Sequence, residues 1–283
     1  MKVLITGLAT ACLMAAIPAF AVNEAASVLA DYSKVDEVIP LPDVGGNLSG
    51  ITYNYDTGTY FLVQNNYGKL FEYDRSFKKP LRIINMINLK DDDTEDIVYL
   101  GQGRYAVSTE DNYIFIFSIA PKQTTVDMSP SRVDVQQFTL PSPRKDNKGL
   151  EGVCFTRNSK DGRGVFFAVQ EQKPKRIFAF NWPNSNDDFK RNFGLTEPFD
   201  TEAIMKHRLS DLSGCTFDDS TNHLLVLSHE SSRLMELGRT GHIVNTLDIP
   251  AVASQYEGVT FGANRELMLV SEPSTLVIMK KRQ

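Results

Sequence analysis

Glu95, Glu151 and Glu257 stand at the same place in a phrase that the chain repeats five times, with Ser49 and Ser213 filling that place in the other two copies. The copies are Leu48-Ser49-Gly50-Ile51-Thr52-Tyr53, Thr94-Glu95-Asp96-Ile97-Val98-Tyr99, Leu150-Glu151-Gly152-Val153-Cys154-Phe155, Leu212-Ser213-Gly214-Cys215-Thr216-Phe217 and Tyr256-Glu257-Gly258-Val259-Thr260-Phe261. Alternate residues read as acid or serine, then a small apolar residue, then tyrosine or phenylalanine, which is the period of a β-strand. A second strand follows each copy, over residues 60–64, 104–108, 165–170, 223–228 and 266–271. Running antiparallel, it brings its own end back beside the start of the first. Those ends carry Asn65, Glu110, Glu171, His229 with Glu230, and Glu272. Carboxylates, amides and hydroxyls should therefore gather around one mouth.

Three glutamates converging on a narrow axis repel one another, so their pKa values rise, or water separates them, or a cation sits among them. Carboxylate, amide, hydroxyl and water oxygens together suit a hard ion with six to eight ligands, which points to Ca²⁺ held by Glu95, Glu151 and Glu257. The plainer alternative is a ring of solvated acids inherited by duplication. Ser49, Asn65, Glu110, Glu171, Ser213, His229, Glu230 and Glu272 are then the candidates for ligand binding at the mouth. No G-x-S-x-G, H-E-x-x-H, P-loop or C-x-x-C motif is present. His229 is the one histidine placed to act as acid or base, whereas His207, His223 and His242 are expected to face solvent. The Asp91–Asp93 run reads as a loop, and Trp182 as the cover of a sheet edge.

The elements that must position these residues follow from the repeat. Copies lie 46, 56, 62 and 44 residues apart, each with several short strands, as in the blades of a propeller. The chain is expected to be all-β: five four-stranded blades, with residues 34–41 supplying the missing outer strand of the last blade and closing the ring. Ile51, Ile97, Val153, Cys215 and Val259 should be buried between blades, with Tyr53, Tyr99, Phe155, Phe217 and Phe261 as a deeper aromatic layer. Insertions at 120–131 and 183–210 read as surface loops, and 201–209 as a weak helix.

Residues 1–21 carry Lys2, an apolar run and an Ala19-Phe20-Ala21 cleavage site, the pattern of a signal peptide. Cys12 lacks the aliphatic neighbour of a lipidation site. Residues 22–283 should form a single propeller, exported to the periplasm or secreted, without a transmembrane segment and monomeric. A net charge of −5 argues against nucleic acid as partner. Cys154 and Cys215 are offset in their repeats and should leave opposite faces of neighbouring strands, as buried thiols.

The ordered series L-S-G-I-T-Y, E-D-I, L-E-G-V, L-S-G-C and Y-E-G-V, with the strand ends V-Q-N, S-H-E and V-S-E, resembles the SdiA-regulated family of bacterial exported proteins over roughly residues 30–280. The resemblance implies a five-bladed propeller with bound calcium and distant kinship to NHL-repeat propellers, some of them hydrolases. Serine at 49 and 213 means that the ring is not uniformly acidic. Two functions stay open: a calcium-stabilised module binding a small molecule or an envelope protein, and a calcium-dependent esterase, lactonase or phosphodiesterase with its site at the mouth.

Overall fold

The structure, a computed structural model, describes residues 25–141, 149–159, 162–171, 174–183 and 194–282; the signal peptide read in residues 1–21 lies outside them. A 3-10 turn (Leu29–Asp31) leads into strand β1 (Glu37–Pro40). The first blade then follows as β2 (Leu48–Asn54), β3 (Thr59–Gln64), β4 (Lys69–Tyr73) and β5 (Pro80–Ile87). Next come β6 (Thr94–Gly101), β7 (Arg104–Thr109), β8 (Tyr113–Ser118), the short β9 (Thr125–Asp127) and β10 (Gln136–Thr139). The third blade holds β11 (Leu150–Thr156), β12 (Val165–Gln170) and β13 (Arg176–Asn181), and helix α1 (Thr201–Met205) comes after it. The fourth is β14 (Gly214–Asp218), β15 (His223–Ser228), β16 (Arg233–Leu237) and β17 (Ile243–Asp248). The last is β18 (Gln255–Phe261), β19 (Leu267–Glu272) and β20 (Thr275–Met279).

Each blade is an antiparallel sheet in which consecutive strands pair, because the repeat alternates short strands with tight turns. β2, β6, β11, β14 and β18 are the innermost strands and pack side by side in a ring, β18 returning to β2. The chain is thus an all-β, five-bladed propeller. β1 closes it, pairing antiparallel with β20 so that Val38 faces Val277, which gives the last blade the order β1-β20-β19-β18. Ahead of β1, Val28, Leu29 and Tyr32 are buried with Leu225, Leu269 and Val277 between the last two blades. Buried Glu236 holds this segment, its carboxylate accepting from the Ser27 hydroxyl at 2.6 Å and from the backbone of Val28 and Leu29 at 2.9 and 3.1 Å.

The core lies between blades. Ile51, Ile97, Val153, Cys215 and Val259 are all buried, as the repeat requires. Four readings of the sequence need correction. Only Tyr99 and Phe217 of the aromatic layer are buried; Tyr53, Phe155 and Phe261 are half-exposed and line a separate cavity at the ends of the inner strands away from the acidic mouth. His223 is buried rather than solvated, its Nδ1 lying 2.7 Å from Glu236. The insertion at 120–131 is more than a loop, since β9 adds a parallel fifth strand to the edge of β5. Among described residues the third blade has no regular fourth strand, only the bridge between Ala179 and Thr196.

The thiols are buried, as expected. Cys154 and Cys215 share one hydrophobic cluster, with the Cys215 thiol donating to the Phe167 carbonyl at 3.9 Å. They do leave different sheet faces, but neighbouring blades stack face to face, so the offset brings the two side chains together. Both are free. Burial raises both thiol pKa values.

Candidate functional site

Four of the five inner strands depart from ideal pairing near their start. The register slips between Leu48 and Gly50, Thr94 and Asp96, Leu150 and Gly152, and Tyr256 and Gly258. Ser49, Glu95, Glu151 and Glu257 are therefore the extra residues of four β-bulges, a device that re-aims a side chain out of the ladder. In the fourth blade β14 begins only at Gly214, and Ser213 lies just before it, donating its hydroxyl to the Tyr256 carbonyl at 2.7 Å. The glycine that follows lets inner strands touch. A Cβ on Gly214 would stand 2.4 Å from the carbonyl oxygen of Glu257, and one on Gly258 2.7 Å from that of Ser49. In the second blade buried Asp96 replaces the glycine and spans the seam, accepting from its own neighbour Ile97 at 2.8 Å and from Val153 N–H at 3.0 Å.

The bulge residues meet the ends of the second strands around a cavity of about 250 Å³. Five equivalent pairs line it: Ser49 with Asn65, Glu95 with Glu110, Glu151 with Glu171, Ser213 with His229, and Glu257 with Glu272. Glu230 is not among the lining residues; its N–H donates to Asp211 Oδ1 at 3.2 Å.

The mouth has two electrostatic halves. On one side, one carboxylate oxygen from each of Glu95, Glu110 and Glu151 lies within 4.8 Å of the others. Asn65 donates its amide to Glu95 Oε1 at 3.1 Å, while its own Oδ1 is buried with no hydrogen-bond partner. Glu110 accepts from Gly149 N–H at 2.8 Å. Burial drives Glu95 well above the usual glutamate range, and Asp93 and Glu110 push it further. Glu151 is raised for the same reason, with Glu95 and Glu110 adding to burial. On the other side His229 Nδ1 lies 2.9 Å from Asp211 Oδ2 and 3.8 Å from Glu257 Oε1. The hydrogen bond to Asp211 raises the imidazole to about 9 against the opposing effect of burial. Burial raises Asp211 too, but His229 and Ser228 outweigh it and its carboxyl ends below the usual range. Glu257 rises to about 7 through burial, held back by His229. Glu257 thus faces an imidazolium supplied by the protein and is not part of the tight triple; Glu110 takes the place the sequence reading gave it.

No lysine or arginine lines the cavity among the described residues. The Glu95–Glu110–Glu151 half consequently gathers negative charge without a protein cation, and its donors are all hard oxygens. That set, with the unpartnered Asn65 Oδ1, fits a calcium ion. Two further residues complete the site and escape a reading by strand ends. Asp93 lines the cavity, and Asp211 anchors His229. Both stand two positions before a bulge or pre-strand residue, Glu95 and Ser213, so aligning the repeats two residues further back would have found them together.

Among solved structures, the chain is similar to a calcium-binding protein, regucalcin, from Agrobacterium tumefaciens, at 13% identity with a TM-score of 0.53 over 87% of this chain and 93% of that one. It is similar to a gluconolactonase from Xanthomonas campestris, at 11% identity and a TM-score of 0.51 over 91% and 94%. A glutaminyl cyclase from Myxococcus xanthus matches at 11% identity and a TM-score of 0.54 over 87% and 95%. At such identities these likenesses concern the fold alone. The sequence carries the finer statement: the model of the SdiA-regulated family matches residues 24–280, and the chain belongs to that family.

Proposed function

We propose that the protein is an exported calcium-binding propeller that uses its acidic mouth to bind a ligand or partner in the cell envelope. One observation carries the reading: three carboxylate oxygens, from Glu95, Glu110 and Glu151, sit within 4.8 Å of one another beside a buried amide oxygen that has no partner. Clustered carboxylates at that separation cost free energy unless protonated or bridged by a cation, and an ion that fits lowers that cost. Glu95, Glu110, Glu151 and Asn65 would hold the ion. When bound, it supplies a positive centre able to orient and polarise an oxygen of whatever occupies the mouth. That the regucalcin matched in fold is itself described as calcium-binding supports this choice of ion. Export rests on the leader read in residues 1–21.

A ligand that binds only the folded state raises stability by mass action, by about 2.7 kcal/mol at one hundred times its Kd. Adding Ca²⁺ to chelator-treated protein should raise the melting temperature. Glu151→Gln and Glu110→Gln should abolish that rise, while Glu257→Gln should only blunt it. Calorimetry that detects no Ca²⁺ binding at millimolar concentration would refute the reading.

The hydrolase alternative has one observation in its favour, the Asp211–His229 pair across the mouth from the carboxylate triple. With the imidazole raised to about 9, however, His229 is already protonated at neutral pH and cannot take up a proton as general base. Binding is therefore the better reading. Turnover of aryl esters, lactones or phosphodiesters that is lost both with chelator and in Glu151→Gln would reverse the choice.

A further inference from the structure

A second cavity lies away from the mouth. It sits at the outer side of the first two blades, has a volume of about 830 Å³, and is lined chiefly by carbon. Its walls include Tyr99, Tyr105 and Leu81, and its roof is the start of the 120–131 insertion, with Ala120 and Pro121. The roof is fastened deliberately. Arg82 pairs with buried Glu72 and donates Nη1 to the carbonyls of Ala120 and Gln123 at 3.0 and 2.9 Å. Glu72 in turn accepts from Thr59 at 2.9 Å. An ion pair of blade 1 thereby holds the insertion over the cleft between blades.

One polar group in the wall has a defined direction of donation. Asn54 Oδ1 accepts from the backbone of Asp56 and Thr57 at 3.0 and 3.2 Å, which fixes the amide. Its Nδ2 must therefore donate, and it does so to the Tyr105 hydroxyl at 2.7 Å. Tyr105 is 1% exposed, and burial pushes its phenol far above the usual tyrosine range. It keeps its proton, and that O–H is left to donate to whatever fills the space. The charges in the lining cancel: Asp56 and Glu72 against Arg82 and Lys122.

We infer that this cleft is a second binding site, separate from the acidic mouth, for an uncharged aromatic or alicyclic small molecule bearing a carbonyl or ether oxygen that accepts from Tyr105. The volume falls within that of small-molecule pockets, which pair apolar walls with a few fixed polar groups. Charge balance disfavours an ionic ligand, since Arg82 is already paired with Glu72 and Asp56 and Lys122 are of opposite sign. Tyr99 and Tyr105 meet at 4.9 Å between ring centroids with their planes tilted by 50°, an aromatic corner in the wall against which a ring can pack.

The test uses the whole chain and a solvatochromic naphthyl ketone, 6-propionyl-2-(dimethylamino)naphthalene, whose emission shifts to the blue in apolar surroundings. Saturable binding of one probe per chain is expected, unchanged by chelator and by Glu151→Gln, so that success or failure here is independent of the calcium site. Ala120→Trp and Ser118→Trp fill the cavity from exposed positions and should abolish binding while leaving the melting temperature within a few degrees. Tyr105→Phe removes one hydrogen bond and should weaken binding on the order of fivefold. An anionic anilinonaphthalene sulfonate of similar size should bind at least tenfold more weakly. The inference is overturned if the ketone shows no saturable binding up to its solubility limit, if both tryptophan variants bind it as the parent does, or if the anion binds equally well.

Discussion

Asp211 and His229 make up one working unit, since each holds the other's charge: the carboxylate stays ionised despite burial, and the imidazole is raised to about 9. In Asp211→Asn the His229 titration, followed by NMR, should fall from about 9 towards the ordinary 6.5; a value still near 9 would mean that Asp211 is not the cause. Asp218 makes the complementary case at the far end of β14. It is fully buried and takes hydrogen bonds from Arg265 at 2.9 Å and Thr221 at 2.8 Å. Burial raises its pKa, but these donors, with Ser220, prevail and leave it below the usual 3.8. A depressed folded pKa gives stability that is present above the unfolded value and lost as pH falls through the folded one. Asp218→Asn should therefore cost about 2 kcal/mol in urea unfolding at pH 7 and progressively less towards pH 2. The mouth residues on the repeat were legible because their spacing marks them. Asp211 and Asp93 were not, because an aspartate before a strand reads first as a turn residue.

The elements owe their arrangement to glycines and bulges at the strand starts. Gly214→Ala puts a methyl 2.4 Å from a neighbouring backbone oxygen, which no rotamer relieves, so the inner strands must part. A loss of about 2 kcal/mol in denaturant unfolding is expected. The β-period and four of the five fourth strands could be read from alternation and turn residues. What could not be read was the facing of one blade onto the next. It determines that Cys154 meets Cys215 and that His223 is enclosed with Glu236, and both depend on stacking rather than on any local pattern. The parallel pairing of β9 was hidden for a related reason: Thr125–Asp127 is three residues long and carries no periodicity.

At the scale of the whole molecule, one phrase serves two ends. Its acid or serine reaches one mouth of the ring, and four residues later its aromatic reaches the other, so the five copies line one opening with three glutamates and two serines and the opposite one with five aromatic residues. The ring depends on both chain ends. Deleting residues 22–41 removes β1 together with the Leu29 and Tyr32 contacts and the backbone donors that hydrogen-bond Glu236. The cooperative melt seen by circular dichroism should then be lost, while a melt at the parent temperature would show that the ring does not need its clasp. The clasp also sets a timetable. Lys280 N–H binds the Asp36 carboxylate at 2.7 Å across 244 residues of sequence, so β1 and β20 can meet only after all the chain between them has come together. Until then the opening strand has nowhere to pair and the fifth blade lacks its edge. Contacts this distant in sequence make closure the slow, late step of folding.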